Sequence, residues 1–142
     1  TVPIYEPGLT EIVGRTQTNG NLHFVSAYQD AIPNAYVIFI AVGTPARDDG
    51  STDLSYVETV AREVGEAMEG YKVVVTKSTV PVGTGQRVRN VIEEALAAAG
   101  RDVRFSVASN PEFLRAGAAI GGTGTPMKRP VGMASSSRLS RR

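Results

Sequence analysis

The sequence predicts an α/β fold with a doubly wound parallel sheet. Short apolar runs of strand length alternate with amphipathic stretches of helix length. That alternation is typical of parallel strands joined by crossover helices. The chain has 142 residues, of which 42% are hydrophobic, and this content suffices for one core but not for two. We therefore expect a single domain.

Three strands of the sheet are predicted from apolar runs. The first, residues 35–42 (AYVIFIAV), is apolar without interruption, as expected of a central strand that helices cover on both faces. The other two are residues 72–76 (KVVVT) and residues 104–108 (RFSVA). A weaker strand is predicted ahead of all three, at residues 22–25.

Two helices are predicted between the three main strands. The first begins at Ser55, where Ser55 and Glu58 have capping-box spacing, and Gly70 is placed to end it in a left-handed turn. Its buried face is predicted to hold Val57, Val60, Val64 and Met68. The second helix ends at Gly100 and is predicted to bury Val88, Ile92, Ala95 or Leu96, and Ala99.

The composition excludes several classes of site. The chain has no cysteine and one histidine, His23, so disulfides and a cysteine nucleophile are ruled out, and no metal is expected. It contains neither an apolar run of about 18 residues nor a signal segment. We therefore expect a cytoplasmic protein with no membrane partner.

The charge is distributed unevenly along the chain. Residues 121–142 carry five basic residues and no acid, while residues 1–120 carry ten basic and 14 acidic residues, a net charge of −4. A mildly acidic body does not suit a nucleic-acid partner. We expect the domain to occupy residues 1–120 and residues 121–142 to be a basic, disordered tail. The abrupt change in composition also suggests the hypothesis that this tail is read from a shifted frame.

A polar segment follows each of the three main strands. These segments are Val42-Gly43-Thr44-Pro45, residues 77–84 (KSTVPVGT) and residues 109–115 (SNPEFLR). Ligands of open parallel sheets bind beyond the carboxyl ends of the strands, so we predict that the three segments form one site. Each segment alone also fits a structural role: a tight turn, helix capping by Thr84 with Ser78 and Thr79 as turn residues, or a Glu112 carboxylate that stabilises a helix start.

The order of motifs along the chain is more specific than any one of them. Besides these segments it includes residues 3–9 (PIYEPGL), residues 38–45 (IFIAVGTP), residues 49–51 (DGS), residues 53–57 (DLSYV), and Gly117 with Ala118. In this order and over about residues 2–120, the chain resembles the UDP-glucose/GDP-mannose dehydrogenase family.

The resemblance implies a Rossmann-like sheet, with NAD as cofactor and a nucleotide sugar as substrate, UDP-glucose before others. The family oxidises the C6 alcohol of the sugar in two hydride transfers, through a thioester on a cysteine of a later domain. Carried over, Val42, Gly43, Thr44 and Pro45 bind the cofactor, and Thr79 lies near both the cofactor and C6. Glu112 handles water in thioester hydrolysis, and the substrate is lined by Glu112, Phe113, Leu114 and Arg115.

The chain departs from the family pattern at several places. The Gly-rich turn for the pyrophosphate and the first two strands are not in the sequence, so we expect a partial domain whose first strand has an unpaired edge, and which is inactive alone. Ala116 stands where the family usually has a second glutamate. The alternatives are a dehydrogenase of GDP-mannose or of a UDP-N-acetyl amino sugar, and a non-catalytic nucleotide-binding module. A homo-oligomer is expected for the full-length parent.

Overall fold

The computed structural model describes residues 5–111. In this range the chain forms α1 (Leu9–Thr18), two 3₁₀ turns (Tyr28–Asp30 and Ile32–Asn34), β1 (Val37–Ile40), α2 (Ser55–Ala67), β2 (Lys72–Thr76), α3 (Thr84–Ala98) and β3 (Phe105–Ser109). The predicted α/β class is confirmed. The expected tail, residues 121–142, lies outside the described residues.

The three strands form one parallel sheet in the order β1-β2-β3. Ile40 is paired with Thr76, and Thr76 with Ser109, so the three strands end level with one another. Their carboxyl ends therefore share one edge, here called the carboxyl edge. Since α2 and α3 are the crossovers between consecutive parallel strands, each helix begins at this edge and returns the chain to the other, amino edge.

Helices α2 and α3 pack on one face of the sheet and on each other. The core contains Ile40 and Val74 from the sheet, with Val57, Val64, Val88 and Ile92 from the helices. The helices approach closely at Gly65, where an added Cβ would lie 2.7 Å from the Ala95 Cβ and 3.1 Å from the Ile92 carbonyl oxygen. This packing fixes where both helices begin, and with them the carboxyl edge.

Within residues 5–111, helices cover strand β1 on one face only, which corrects the expectation of helices on both faces. Val37 is 49% and Phe39 57% exposed, because α2 and α3 reach only the side of the sheet that Ile40 faces. The strand is also shorter than the apolar run, since Ala35 ends a 3₁₀ turn and the Val42 carbonyl accepts from a side chain. The predicted unpaired edge is confirmed for the described residues, where β1 pairs only with β2.

Residues 22–25 form no strand, contrary to the weaker prediction. Phe24 and Val25 are exposed, and the segment pairs with no strand among the described residues, so its apolar run is not stabilised as a strand. Helix α1 was not predicted, although Leu9, Ile12 and Val13 recur at helical spacing, and in the described structure these three residues are only partly buried.

The helix ends show further differences. Helix α2 begins at the predicted Ser55, but without a capping box, because the Ser55 amide donates to Asp53 Oδ1 at 2.9 Å. It ends before Gly70, since Met68 is already extended. Gly100 does end α3 as predicted, with the Arg101 amide donating to the Leu96 carbonyl and the Gly100 amide to the Ala97 carbonyl. Both Ala95 and Leu96 are buried, whereas Ala99 lies at this exposed turn.

Candidate functional site

The first two polar segments lie side by side at the carboxyl edge. We call residues 42–45 the first rim loop and residues 77–84 the second rim loop. The first begins two residues after β1 ends at Ile40, and the second begins directly after β2 ends at Thr76. The level strand ends therefore bring together two loops that are more than 30 residues apart in the sequence.

Two side-chain hydrogen bonds join the rim loops, just beyond the last backbone hydrogen bond between β1 and the second loop. The Lys77 amide donates to the Ile40 carbonyl at 2.8 Å, which extends the β1–β2 pairing by one step. The Ser78 hydroxyl then donates to the Val42 carbonyl at 2.6 Å. The Thr44 hydroxyl donates to the Thr79 carbonyl at 3.3 Å. Thr44 and Thr79 are thus in direct contact, as the predicted convergence requires.

The third polar segment begins at the same edge. The Asn110 amide donates to the Thr76 carbonyl at 3.0 Å, which fixes the chain directly after β3. The predicted site residues of this segment, Glu112, Phe113, Leu114 and Arg115, lie outside the described residues. The convergence of the three segments therefore holds for Thr44, Thr79 and the start of the third segment.

Both rim loops leave polar groups accessible to a ligand. Gly43 is exposed, and no heavy atom lies within 4 Å of the position that a Cβ would take there. Thr79 is exposed, and within residues 5–111 its hydroxyl makes no hydrogen bond. Helix α3 begins at the end of the second loop with Gly83 as its N-cap and no side-chain cap. The edge therefore presents hydroxyls and backbone amides.

Thr84 does not cap α3 in the way that its position suggested. It is the first residue of the helix, is buried, and donates its hydroxyl back to the Pro81 carbonyl at 2.8 Å. Ser78 is likewise more than a turn residue, because its hydroxyl crosses to the first rim loop. The sequence showed a hydroxyl directly after a strand, but not which atom it would contact.

Arg47, Asp49 and Asp53, close to the first rim loop, are engaged within a small hairpin. Ala46 and Thr52 form an antiparallel bridge, and Arg47 pairs with Asp53 at 3.1 Å. The hydrogen bond from the Ser55 amide lowers the pKa of Asp53 from 3.8 to about 2, with a smaller effect from Arg47. The Ser51 hydroxyl lowers the pKa of Asp49. Both carboxylates are thus engaged by their own neighbours.

The rim loops fit an anionic nucleotide. Their twelve residues include no acid, one lysine, four hydroxyl side chains and two glycines. Hydroxyls, exposed glycine backbone and a helix start without a side-chain cap are suited to phosphate and ribose oxygens. A separate concavity lies at the amino edge, between the end of α3 and the start of β3, with Arg89 5.3 Å from the Phe105 ring centre. It includes no residue of the rim loops.

A family model described as "UDP-glucose/GDP-mannose dehydrogenase family, NAD binding domain" matches residues 1–141. The chain belongs to this family. The dehydrogenase family relatives include the UDP-glucose 6-dehydrogenase of Rhizobium meliloti (strain 1021), 52% identical over 120 residues, which are 84% of this chain and 26% of that protein. The UDP-glucose 6-dehydrogenase TuaD of Bacillus subtilis (strain 168) is 45% identical over 94% of this chain and 28% of its own length.

Solved structures of the dehydrogenase family show the same fold. A UDP-glucose dehydrogenase from Pyrobaculum islandicum is 46% identical with a TM-score of 0.75, over 87% of this chain and 29% of that one. A GDP-mannose dehydrogenase from Pseudomonas aeruginosa, solved as a ternary complex, is 38% identical with a TM-score of 0.79 over the same shares. This chain thus spans under a third of the length of these relatives. It is part of a Rossmann-type NAD-binding domain, and its cofactor is NAD.

Proposed function

We propose that this chain is part of an NAD-dependent dehydrogenase that oxidises the C6 alcohol of UDP-glucose to the carboxylate of UDP-glucuronate in two hydride transfers. The observation that carries the proposal is the contact between Thr44 and Thr79, at the carboxyl edge of a sheet that belongs to this family. When bound, NAD supplies the chemistry by accepting hydride from the sugar. The relatives named as UDP-glucose 6-dehydrogenases favour UDP-glucose as the sugar nucleotide.

We assign the roles of the site residues from the family resemblance, and the position of the rim loops at the carboxyl edge supports the roles of those that the structure describes. The cofactor lies along the first rim loop, against Val42, Gly43, Thr44 and Pro45, where exposed Gly43 permits close approach of a ligand to the backbone. Thr79 directs its unengaged hydroxyl toward the cofactor and the C6 oxygen. Its role is to orient the reacting alcohol by hydrogen bonding, which needs a donor or acceptor left free by the fold.

The substrate side of the site is assigned to the third polar segment. Asn110 is tied to the end of β2, so the described part of this segment lies at the carboxyl edge. In this proposal Glu112 handles the water of the hydrolytic step, and the sugar nucleotide is lined by Glu112, Phe113, Leu114 and Arg115. The 142-residue chain is inactive by itself in this proposal. A cytoplasmic location and homo-oligomeric assembly of the full-length protein stay predictions.

Two other sugar nucleotides are alternatives to UDP-glucose. The GDP-mannose dehydrogenase of Pseudomonas aeruginosa superposes on this chain with a TM-score of 0.79, against 0.75 for the UDP-glucose dehydrogenase of Pyrobaculum islandicum. The fold of the backbone therefore does not favour UDP-glucose over GDP-mannose as the substrate. The other alternative substrate is a UDP-N-acetyl amino sugar. A non-catalytic nucleotide-binding module is favoured by Ala116 in place of a glutamate.

A chimera tests the proposal directly. The 120 residues of the Rhizobium meliloti enzyme that align with this chain are replaced by their counterparts from this chain, and NADH formation is followed with each of the three sugar nucleotides. We expect UDP-glucose to support turnover and the others to support at least about 100-fold less, a difference of about 3 kcal/mol in transition-state binding.

Three outcomes contradict parts of the proposal. A folded chimera that binds NAD but oxidises no sugar nucleotide, even with Ala116→Glu, supports the non-catalytic module. If the chimera is inactive but the substitution Ala116→Glu restores turnover, the defect would instead be traced to the missing carboxylate at position 116. Preference for GDP-mannose by the full-length polypeptide that carries this chain, measured in the same assay, would move the assignment to the sibling activity, because the chimera keeps the rest of the Rhizobium meliloti enzyme.

A further inference from the structure

The contact that holds the first rim loop comes from a side chain outside it. Beyond the Lys77 amide bond to Ile40, a regular parallel ladder would next use a backbone amide to reach the Val42 carbonyl. Here the Ser78 hydroxyl takes that carbonyl, at 2.6 Å and in a partly buried position. The bond from Thr44 to Thr79 is longer, 3.3 Å, and exposed. Ser78 thus makes the shorter and better protected of the two side-chain links.

This link acts at the point where the loop is least restrained. Gly43 follows Val42 directly, has no Cβ, and has no heavy atom within 4 Å of where one would be. A glycine in that setting explores many backbone conformations. Fixing the Val42 carbonyl therefore sets the direction in which Gly43 and Thr44 leave the strand.

We infer that Ser78 is a positioning residue for the cofactor, and this rests on the proposed function of the first rim loop. Its hydroxyl holds residues 42–45 in the conformation that binds NAD, without contact to NAD itself. Loss of the hydroxyl lets the loop sample other conformations, and the apparent affinity falls with the fraction of protein in the competent one.

The test is Ser78→Ala in the full-length polypeptide that carries this chain, with Ser78→Thr as the variant that keeps the hydroxyl. Ser106→Ala is the matched control, because Ser106 also makes one side-chain hydrogen bond, to the Tyr71 hydroxyl at 2.9 Å, but on β3 away from the rim loops. The measurements are KM for NAD, KM for UDP-glucose and the melting temperature.

We expect Ser78→Ala to raise KM for NAD about fivefold, equivalent to about 1 kcal/mol, while KM for UDP-glucose changes less than twofold. Ser78→Thr and Ser106→Ala should both keep KM for NAD within about twofold of the original value. A lower melting temperature for Ser78→Ala with an unchanged KM for NAD would overturn the inference, as would equal effects of Ser78→Ala and Ser106→Ala. An unsubstituted protein that reduces no NAD would contradict the proposed function itself and remove the basis of the inference.

Discussion

The two edges of the sheet use their polar groups differently. At the amino edge, Arg101 donates to the Glu66 carbonyl at 2.8 Å and to the Met68 carbonyl at 3.2 Å, and Lys72 donates to the Pro33 carbonyl at 2.7 Å. These bonds satisfy backbone groups where helix α2 and a 3₁₀ turn end. At the carboxyl edge, hydroxyls join the two rim loops, yet Thr79 keeps its own hydroxyl unengaged within residues 5–111.

This difference suggests that polar groups at the amino edge serve stability, whereas those at the carboxyl edge serve ligand binding. The side chains of Arg101 and Lys72 at the amino edge are engaged by backbone carbonyls, so their removal should cost stability alone. Groups at the carboxyl edge are held in place but left accessible, so their removal should cost ligand binding or turnover. The substitutions below are chosen to test this separation, in the order of their expected effect.

The largest effect is expected from Thr79→Ala in the full-length polypeptide. It removes the free hydroxyl that we place beside the C6 oxygen, and we expect kcat with UDP-glucose to fall by about 100-fold. Steady-state NADH formation measures this. Thr79→Ser should retain most of the rate. Thr59→Ala, which removes a threonine hydroxyl bonded within α2, should leave the rate unchanged, and equal losses in Thr79→Ala and Thr59→Ala would count against the assigned role.

Gly65→Ala tests the helix packing that sets both edges. Because the new Cβ would lie 2.7 Å from Ala95 Cβ and 3.1 Å from a backbone oxygen, α2 and α3 would have to move apart, and we expect a loss of about 2 kcal/mol in the free energy of unfolding. Denaturant unfolding measures it. Gly14→Ala is the control, since that helical glycine in α1 has open space and alanine should stabilise it by up to about 1 kcal/mol. A neutral Gly65→Ala would show that the helices are not in close contact.

Arg101→Ala is expected to lower the free energy of unfolding by about 1 kcal/mol, because two carbonyls at the end of α2 lose a cationic donor. KM for NAD should not change. Arg62→Ala supplies the comparison for both measurements. Arg62 is an exposed arginine on α2 that makes no ion pair in the described range. An increase in KM for NAD with Arg101→Ala alone would break the separation between the two edges.

The smallest effect concerns the acid range. Hydrogen bonding to the Ser55 amide lowers the pKa of Asp53 to about 2 from 3.8, so the carboxylate stabilises the folded hairpin above about pH 4, and this contribution is lost as the pH falls from about 4 through 2. NMR titration of the carboxyl carbons should show Asp53 titrating well below 3.8. Titration of Asp53 at its ordinary value would show that the bond to Ser55 does not form in solution.

Periodicity and burial explain why most of the fold was predictable. Lys72–Thr76 was predicted with its observed bounds because most of its residues are buried. The strand predicted at residues 22–25 was wrong because apolar residues form a strand only when a partner strand supplies hydrogen bonds. The predicted capping box between Ser55 and Glu58 was wrong because the Ser55 amide, which the Glu58 side chain would accept from in a capping box, donates to Asp53 instead.

The site was predictable at the level of loops rather than of atoms. Topology alone requires the carboxyl ends of parallel strands to meet, and Thr44 and Thr79 are accordingly in contact. The bond from Ser78 to Val42 joins residues 36 positions apart. It depends on the register between two strands to within one residue, which local sequence does not determine.

Hydrogen–deuterium exchange of the full-length polypeptide with and without NAD tests the central claim most directly, because it reports on both edges at once. The account predicts that NAD slows exchange in residues 42–45 and 77–84 and leaves residues 69–71 and 99–104 unchanged. Slowed exchange confined to the amino edge, or none at the rim loops when NAD is saturating, would contradict it.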